Sequence, residues 1–200
     1  MTVVAGPLFA TAGLLGAAGV LKTTRPTSTM KALRAARLPG SGPTGRRMAA
    51  PWIGRLLGLV EIAIAASALT FGGRLAAGLV VIAYIGFSLF TARLLRMAGA
   101  GASCGCFGAE ESPAAPIHIV VNAGIAAAAA LAVRWPTPGI GKVLGDQPLA
   151  GVPFLILTGL CGWLLFALLT VVPNLQAAMT DGQDPDALAT GRADLRSAPR

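Results

Sequence analysis

The sequence predicts an all-α protein, a polytopic transmembrane helical bundle, and three observations carry that prediction. Of its 200 residues, 54% belong to the apolar AVILMFWYC class and only 12% are charged, with a mean hydropathy of +0.71. A soluble domain carries about 25% charged residues, so this chain cannot cover a water-facing surface. The apolar residues also gather in five runs of about the length, roughly 20 residues, that crosses a hydrocarbon core about 30 Å thick. Finally, the runs are continuous rather than alternating and too long for strands, and in lipid a helix satisfies its own backbone polar groups. A soluble enzyme, a disordered chain and a disulfide-rich secreted scaffold are thereby poor readings. The net charge is +8, from 16 Lys and Arg against 8 Asp and Glu. These charges lie between the apolar runs, so water-facing loops and lipid headgroups explain them better than nucleic acid does.

The first run, Val3 to Leu21, is uncharged. No Lys or Arg precedes Lys22, so the run lacks the positive leading region of a secretory signal and reads as a retained helix. Gly13, Gly16 and Gly19 recur every three residues beside Ala12, Ala17 and Ala18. Small residues let membrane helices approach closely, here within one bundle, with homodimerisation as the alternative. The second run, Trp52 to Phe71, carries Arg55 and Glu61. Gly72-Gly73-Arg74 is a tight turn that makes the third run, Leu75 to Ala92, its antiparallel neighbour. The fourth run, Ile117 to Val133, has His118 at its start and an alanine stretch over Ala126 to Ala130. The fifth, Val152 to Val172, is uncharged and holds Cys161, expected as a small packing residue. Residues 174–200 mix Asp and Arg with small residues and are expected to be a disordered polar tail.

The connection from Lys22 to Pro51 holds Lys22, Arg25, Lys31, Arg34, Arg37, Arg46 and Arg47 and no acid. Met30 to Leu38 has the spacing of a short interfacial helix, broken by Pro39-Gly40-Ser41-Gly42-Pro43. Alternating spans place this loop and the connection from Arg93 to Pro116 on the same face. The positive-inside rule assigns that face to the cytoplasm.

That third connection contains the most specific chemistry, Cys104-Gly105-Cys106-Phe107-Gly108. Structural zinc wants four ligands at wider spacing. His118 is the only histidine and Glu110 and Glu111 are the nearest carboxylates, so no metal site is expected. A chance pairing of two small residues is the plain alternative to a redox dithiol, which is favoured. Cysteines two apart can close a disulfide only if the backbone between them bends unusually, and Gly105 permits that. A strained disulfide is easily reduced, which suits a bond that turns over. The loop glycines leave the sulfurs free to be presented, and Arg93 and Arg96 upstream are cations that could favour a thiolate.

Glu61 is the second feature. A charged group at a helix centre costs roughly 2.5–3.5 kcal/mol on insertion scales, so this residue is expected to face the bundle, be protonated or pair with a cation. Arg55, six residues away, is a poor intrahelical partner and is expected to snorkel toward the interface. Glu61 reads either as a proton acceptor for thiol oxidation or as a hydrogen-bonded residue that joins helices. His118 and Asn122, one helical turn apart, are either a polar helix-end pair or part of the vestibule of the cysteine loop. No phosphate loop, nucleophile elbow or zinc motif occurs, and no cofactor is expected.

The span with Arg55-Leu56-Leu57-Gly58-Leu59-Val60-Glu61, followed by a helix that leads into Cys104-Gly105-Cys106-Phe107-Gly108, resembles the methylamine-utilisation MauE family of DoxX-like membrane proteins. The resemblance covers roughly residues 3 to 133. It implies a DoxX-like four-helix core over residues 1–135, to which residues 136–173 add a connection and a fifth helix. It also implies a multi-pass protein of the cell membrane that supports processing, transport or disulfide maturation of the cysteine-rich small subunit of methylamine dehydrogenase. A thioredoxin-like partner, MauD, belongs to that picture. Cys104 and Cys106 would be the electron-exchanging pair, and Glu61 matches the family's intramembrane acid. Such a role outside the cytoplasm opposes the side that the loop charges favour; a reporter at residues 109–112 in intact cells decides between them.

Three functions compete at this point. One is a thiol–disulfide relay or maturation factor, whose only enzymatic activity is thiol–disulfide exchange. Another is a quinone-linked thiol oxidoreductase, weakened because a second cysteine pair is missing and Cys161 stands alone. The third is a membrane assembly partner without redox turnover. A transporter finds little support.

Overall fold

The computed structural model describes residues 4–37, 51–99, 102–105 and 113–181. Its helices are α1 (Ala5–Thr24), α2 (Pro26–Ala35), α3 (Pro51–Thr70), α4 (Gly73–Ala98), α5 (Pro116–Arg134), α6 (Ile140–Gly145) and α7 (Val152–Asp181). Among the described residues the only β pairings are two isolated bridges, Gly72 with Pro138 and Ser103 with Pro113. Helices α1, α3, α4, α5 and α7 are each long and apolar enough to cross a membrane. The five runs read from sequence are therefore five helices of an all-α bundle.

Proline sets several of the boundaries. Pro26, Pro51 and Pro116 each open a helix, a position where the missing N–H costs nothing. Arg25, just before Pro26, leaves the helical region at φ −128° and ψ 69°, as the residue before a proline tends to. That single break separates α1 from α2. The interfacial helix expected over Met30 to Leu38 therefore starts earlier, at Pro26, and ends at Ala35.

Two expectations need correction. Lys22 belongs to α1 and is buried, not part of a solvated basic loop. The connection after α5 contains α6 and a 3-10 turn over Pro148–Gly151. The last span runs on to Asp181 through Pro173, so residues 174–181 are helical and only 182–200 of the expected tail lie outside the described residues.

The closest helix pairings are α1 with α3 and α4 with α5. The small residues of the first run explain the former. A Cβ on Gly19 would stand 2.6 Å from the Gly58 carbonyl oxygen, and one on Gly58 would stand 2.5 Å from that of Gly19. Only glycines allow two backbones this close. The apolar centre of the bundle is Leu8, Phe9, Leu15, Ala68, Val80 and Ala132, with little bulk beyond what the alanines leave room for. Tyr84 of α4 ties the two pairs together by donating to the Thr11 carbonyl of α1 at 2.8 Å.

Helix α7 lies on the outside, with most of its surface exposed. Phe154 packs edge-on against Phe9, with centroids 6.1 Å apart. A second attachment uses a gap in the helix itself. Pro173 has no N–H to offer the Leu169 carbonyl one turn back, and His118 Nε2 of α5 bonds that oxygen at 3.0 Å. A carbonyl only accepts, so Nε2 carries the proton of this bond, and Nδ1 faces the Ala115 N–H and carbonyl, each at 3.2 Å.

Candidate functional site: a buried ion pair and a cysteine on one cavity

Glu61 resolves its own burial through a partner 39 residues away. Lys22 Nζ donates to both carboxylate oxygens at 2.7 Å. The two side chains keep only 4% and 3% of their surface exposed. The pair follows from the glycine contact, since Lys22 is three residues after Gly19 on α1 and Glu61 three after Gly58 on α3. Each ionic side chain thus lies on the same face as its glycine, where the helices are closest. The Lys22 ammonium also sits 4.7 Å above the Phe87 ring, a cation–π contact strengthened by the burial of the lysine. Arg55 is exposed and takes no part. The expectation that Glu61 pairs with a cation is met by a residue that sequence reasoning had placed in a loop.

The short segment 102–105 is tucked beneath α2. Cys104 is 2% exposed and packs with Ala32, Ala36, Leu94 and Ala114. Gly105 adopts φ +64°, and a Cβ there would stand 2.8 Å from the Ala32 Cβ and 2.9 Å from the Ser28 carbonyl oxygen. The glycine therefore serves two needs at once, a left-handed backbone and close approach to α2. Thr29 Oγ1 fixes it by donating to the Gly105 carbonyl at 3.1 Å. The expected loop that presents Cys104 to solvent is thus corrected: the segment is held down by α2, and Cys104 faces inward. Cys106 lies outside the described residues, as do Glu110 and Glu111.

The described parts of the basic connection and the cysteine connection, α2 and the segment 102–105, meet at one end of the bundle. Arg93, expected as a cation near the sulfurs, instead donates from Nε to the Ala36 carbonyl at 2.9 Å and from a terminal nitrogen to that of Arg37 at 2.7 Å. It satisfies carbonyls that α2 leaves open at its C-terminus. Arg96 is exposed.

These features share a cavity of about 380 Å³. Lys22, Glu61, Thr29, Phe87, Phe90 and Cys104 are among its lining residues. Leu57, Val60, Leu79 and Ile82 line it too and are themselves exposed on the outer surface of α3 and α4. The cavity consequently opens between these two helices toward the bilayer. Behind Lys22 and Phe87 lies a second space of about 20 Å³, lined by Tyr84, His118, Asn122 and Leu169, room for about one water molecule. His118 and Asn122 are both buried; they line this inner space rather than the one that holds Cys104.

Cys161 is corrected as well. It is exposed on α7 and lines a wide groove of about 850 Å³ between α1, α5 and α7. The helix touches the bundle along a narrow strip, and Cys161 falls outside it. Among the described residues no three His, Cys, Asp or Glu side chains gather as a metal site.

A family model described as "Methylamine utilisation protein MauE" matches residues 2–134, which span α1 to α5. No curated protein and no solved structure matches the chain.

Proposed function

The chain belongs to the MauE family, a multi-pass membrane protein with five apolar helices, and from that membership and this geometry we propose that it works as a membrane thiol–disulfide relay. Cys104 and Cys106 form and release a shared disulfide, and the protein thereby supports maturation of a partner such as the methylamine dehydrogenase small subunit. A thioredoxin-like protein of the MauD kind exchanges with the pair. Exchange proceeds by attack of a thiolate on a disulfide sulfur, through a mixed disulfide.

The observation that carries this reading is the placement of Cys104 on one cavity with the Lys22–Glu61 pair. A cysteine that only packs has no need of buried ionisable groups on the same cavity. The left-handed Gly105 supports the reading further, since a Cys-Gly-Cys disulfide needs an unusual backbone at its centre. Because Cys104 is buried, the reading assigns exchange with an outside protein to Cys106 and transfer within the membrane to Cys104. Glu61 and Lys22 hold and move the protons that thiol oxidation releases.

Alkylation before and after reductant, read by mass, tests the relay. The expected result is a reversible bond between Cys104 and Cys106. If both sulfurs stay reduced under every oxidant, the relay is wrong. Full maturation activity in a Cys104→Ser, Cys106→Ser double variant would instead make the protein an assembly partner without redox turnover.

A further inference from the structure

Resting on the relay reading above, we propose that the cavity of about 380 Å³ is a binding site for a lipid-soluble quinone, with a ring carbonyl at the Lys22–Glu61 pair and the ring edge beside Cys104. The cavity walls select the ligand by four criteria. Entry is from the bilayer, since Leu57, Val60, Leu79 and Ile82 are both cavity wall and outer surface; the ligand must dissolve in lipid. It must be uncharged, because Lys22 is already neutralised by Glu61 through two bonds of 2.7 Å. A fatty-acid carboxylate or a lipid phosphate would meet the Glu61 charge at close range and low dielectric. It must carry an acceptor atom at one end, because the Lys22 ammonium has three N–H donors of which two are used on Glu61, while most of the remaining wall is apolar. A flat ring suits Phe87 and Phe90, which stack on planar groups. An acyl chain meets the first two criteria only. The volume falls in the range, about 300–1,000 Å³, of small-molecule sites.

A quinone also closes the chemistry. Two thiols, at Cys104 and its sequence neighbour Cys106, give up two electrons and two protons as the S–S bond forms. The two quinone oxygens take both electrons and both protons and become hydroquinone hydroxyls. No other reactant is consumed. Lys22 donates a hydrogen bond to the oxygen that gains charge, and Glu61 accepts and returns a proton. The second cysteine pair that a substrate-facing oxidase would need is replaced by exchange between Cys106 and the outside partner.

The test uses the full chain in phosphatidylcholine nanodiscs, reduced beforehand and kept anaerobic, with menadione and decylubiquinone as probes. Each is expected to bind, and to be reduced by one equivalent per protein as Cys104 and Cys106 become protected from alkylation. Gly86 lines the cavity, and a side chain added there meets nothing within 4 Å. Gly86→Leu should therefore fold, as checked by helical circular dichroism, while filling the space and weakening binding of both probes at least tenfold. Three results would overturn the site: no quinone binding or reduction by the wild-type chain, unchanged affinity in the folded Gly86→Leu variant, or displacement of decylubiquinone by decane as effective as that by menadione. Oxidation of the same reduced protein by glutathione disulfide is measured in parallel. If that oxidation succeeds while quinone fails, only the quinone inference falls; if neither oxidant closes the disulfide, the relay falls with it.

Discussion

Removing either member of the Lys22–Glu61 pair should destabilise the bundle far more than removing both. The pair is buried, with side chains 4% and 3% exposed and both carboxylate oxygens bonded at 2.7 Å. Lys22→Met leaves a carboxylate without its cation, and Glu61→Leu leaves an ammonium without its anion. Breaking a buried pair from one side costs about 3–5 kcal/mol, and even the lower figure shifts the unfolding equilibrium about 150-fold. Replacing both ions with apolar side chains of similar volume is often neutral or stabilising. Met also suits the Phe87 face, where a thioether makes a favourable contact in place of the ammonium. The Lys22→Met, Glu61→Leu double variant should thus recover most of the loss. The assay is a double-mutant cycle on unfolding in mixed micelles, with the wild type and all three variants measured in one detergent. Losses that simply add in the double variant would refute this reasoning, because they would mean the two side chains do not interact.

Other expectations follow from the close contacts. Gly58→Ala places a Cβ 2.5 Å from the Gly19 carbonyl oxygen, so α1 and α3 must separate, at about 1–3 kcal/mol as for other overpacked sites; thermal stability in detergent reads it. Gly105→Ala introduces a clash with Ala32 and strain at φ +64°. The segment should lift away from α2, and maleimide labelling of Cys104 should quicken at least tenfold. His118→Leu removes the donor to the Leu169 carbonyl, a loss of about 1–3 kcal/mol for a buried bond. Pro173→Ala in the same chain should restore most of it, since alanine supplies the helix N–H that proline lacks. Failure of that rescue would show that the imidazole holds α7 in some other way.

The five spanning helices were legible because their cause is local. Apolar runs of membrane length and the prolines at 26, 51 and 116 are visible in one dimension, and so is the tight turn at Gly72-Gly73. The site was legible only in part, because its geometry depends on how helices distant in sequence align. Glu61 announced itself as an acid within an apolar run. Lys22 did not, because it follows Leu21 at the point where charges begin and so looked like the first residue of a basic loop. A usable signal existed: Gly19 precedes Lys22 by the same three residues as Gly58 precedes Glu61, and matching patterns on neighbouring antiparallel helices can meet. Cys104 was found by motif, but its burial under α2 was not, because the seat depends on Ser28, Thr29 and Ala32 more than seventy residues earlier. Pro173 signalled that the Leu169 carbonyl lacks its helix N–H, without naming His118 as a group that would bond it.

Lys22 and Phe87 border both the large cavity and the small chamber behind it. The lysine is therefore a partition as well as a counter-ion. With its ammonium on Glu61, the thiol side and the His118–Asn122 side are two rooms. A molecule that reaches the ion pair from the bilayer side is therefore separated from the His118–Asn122 space only by these two side chains.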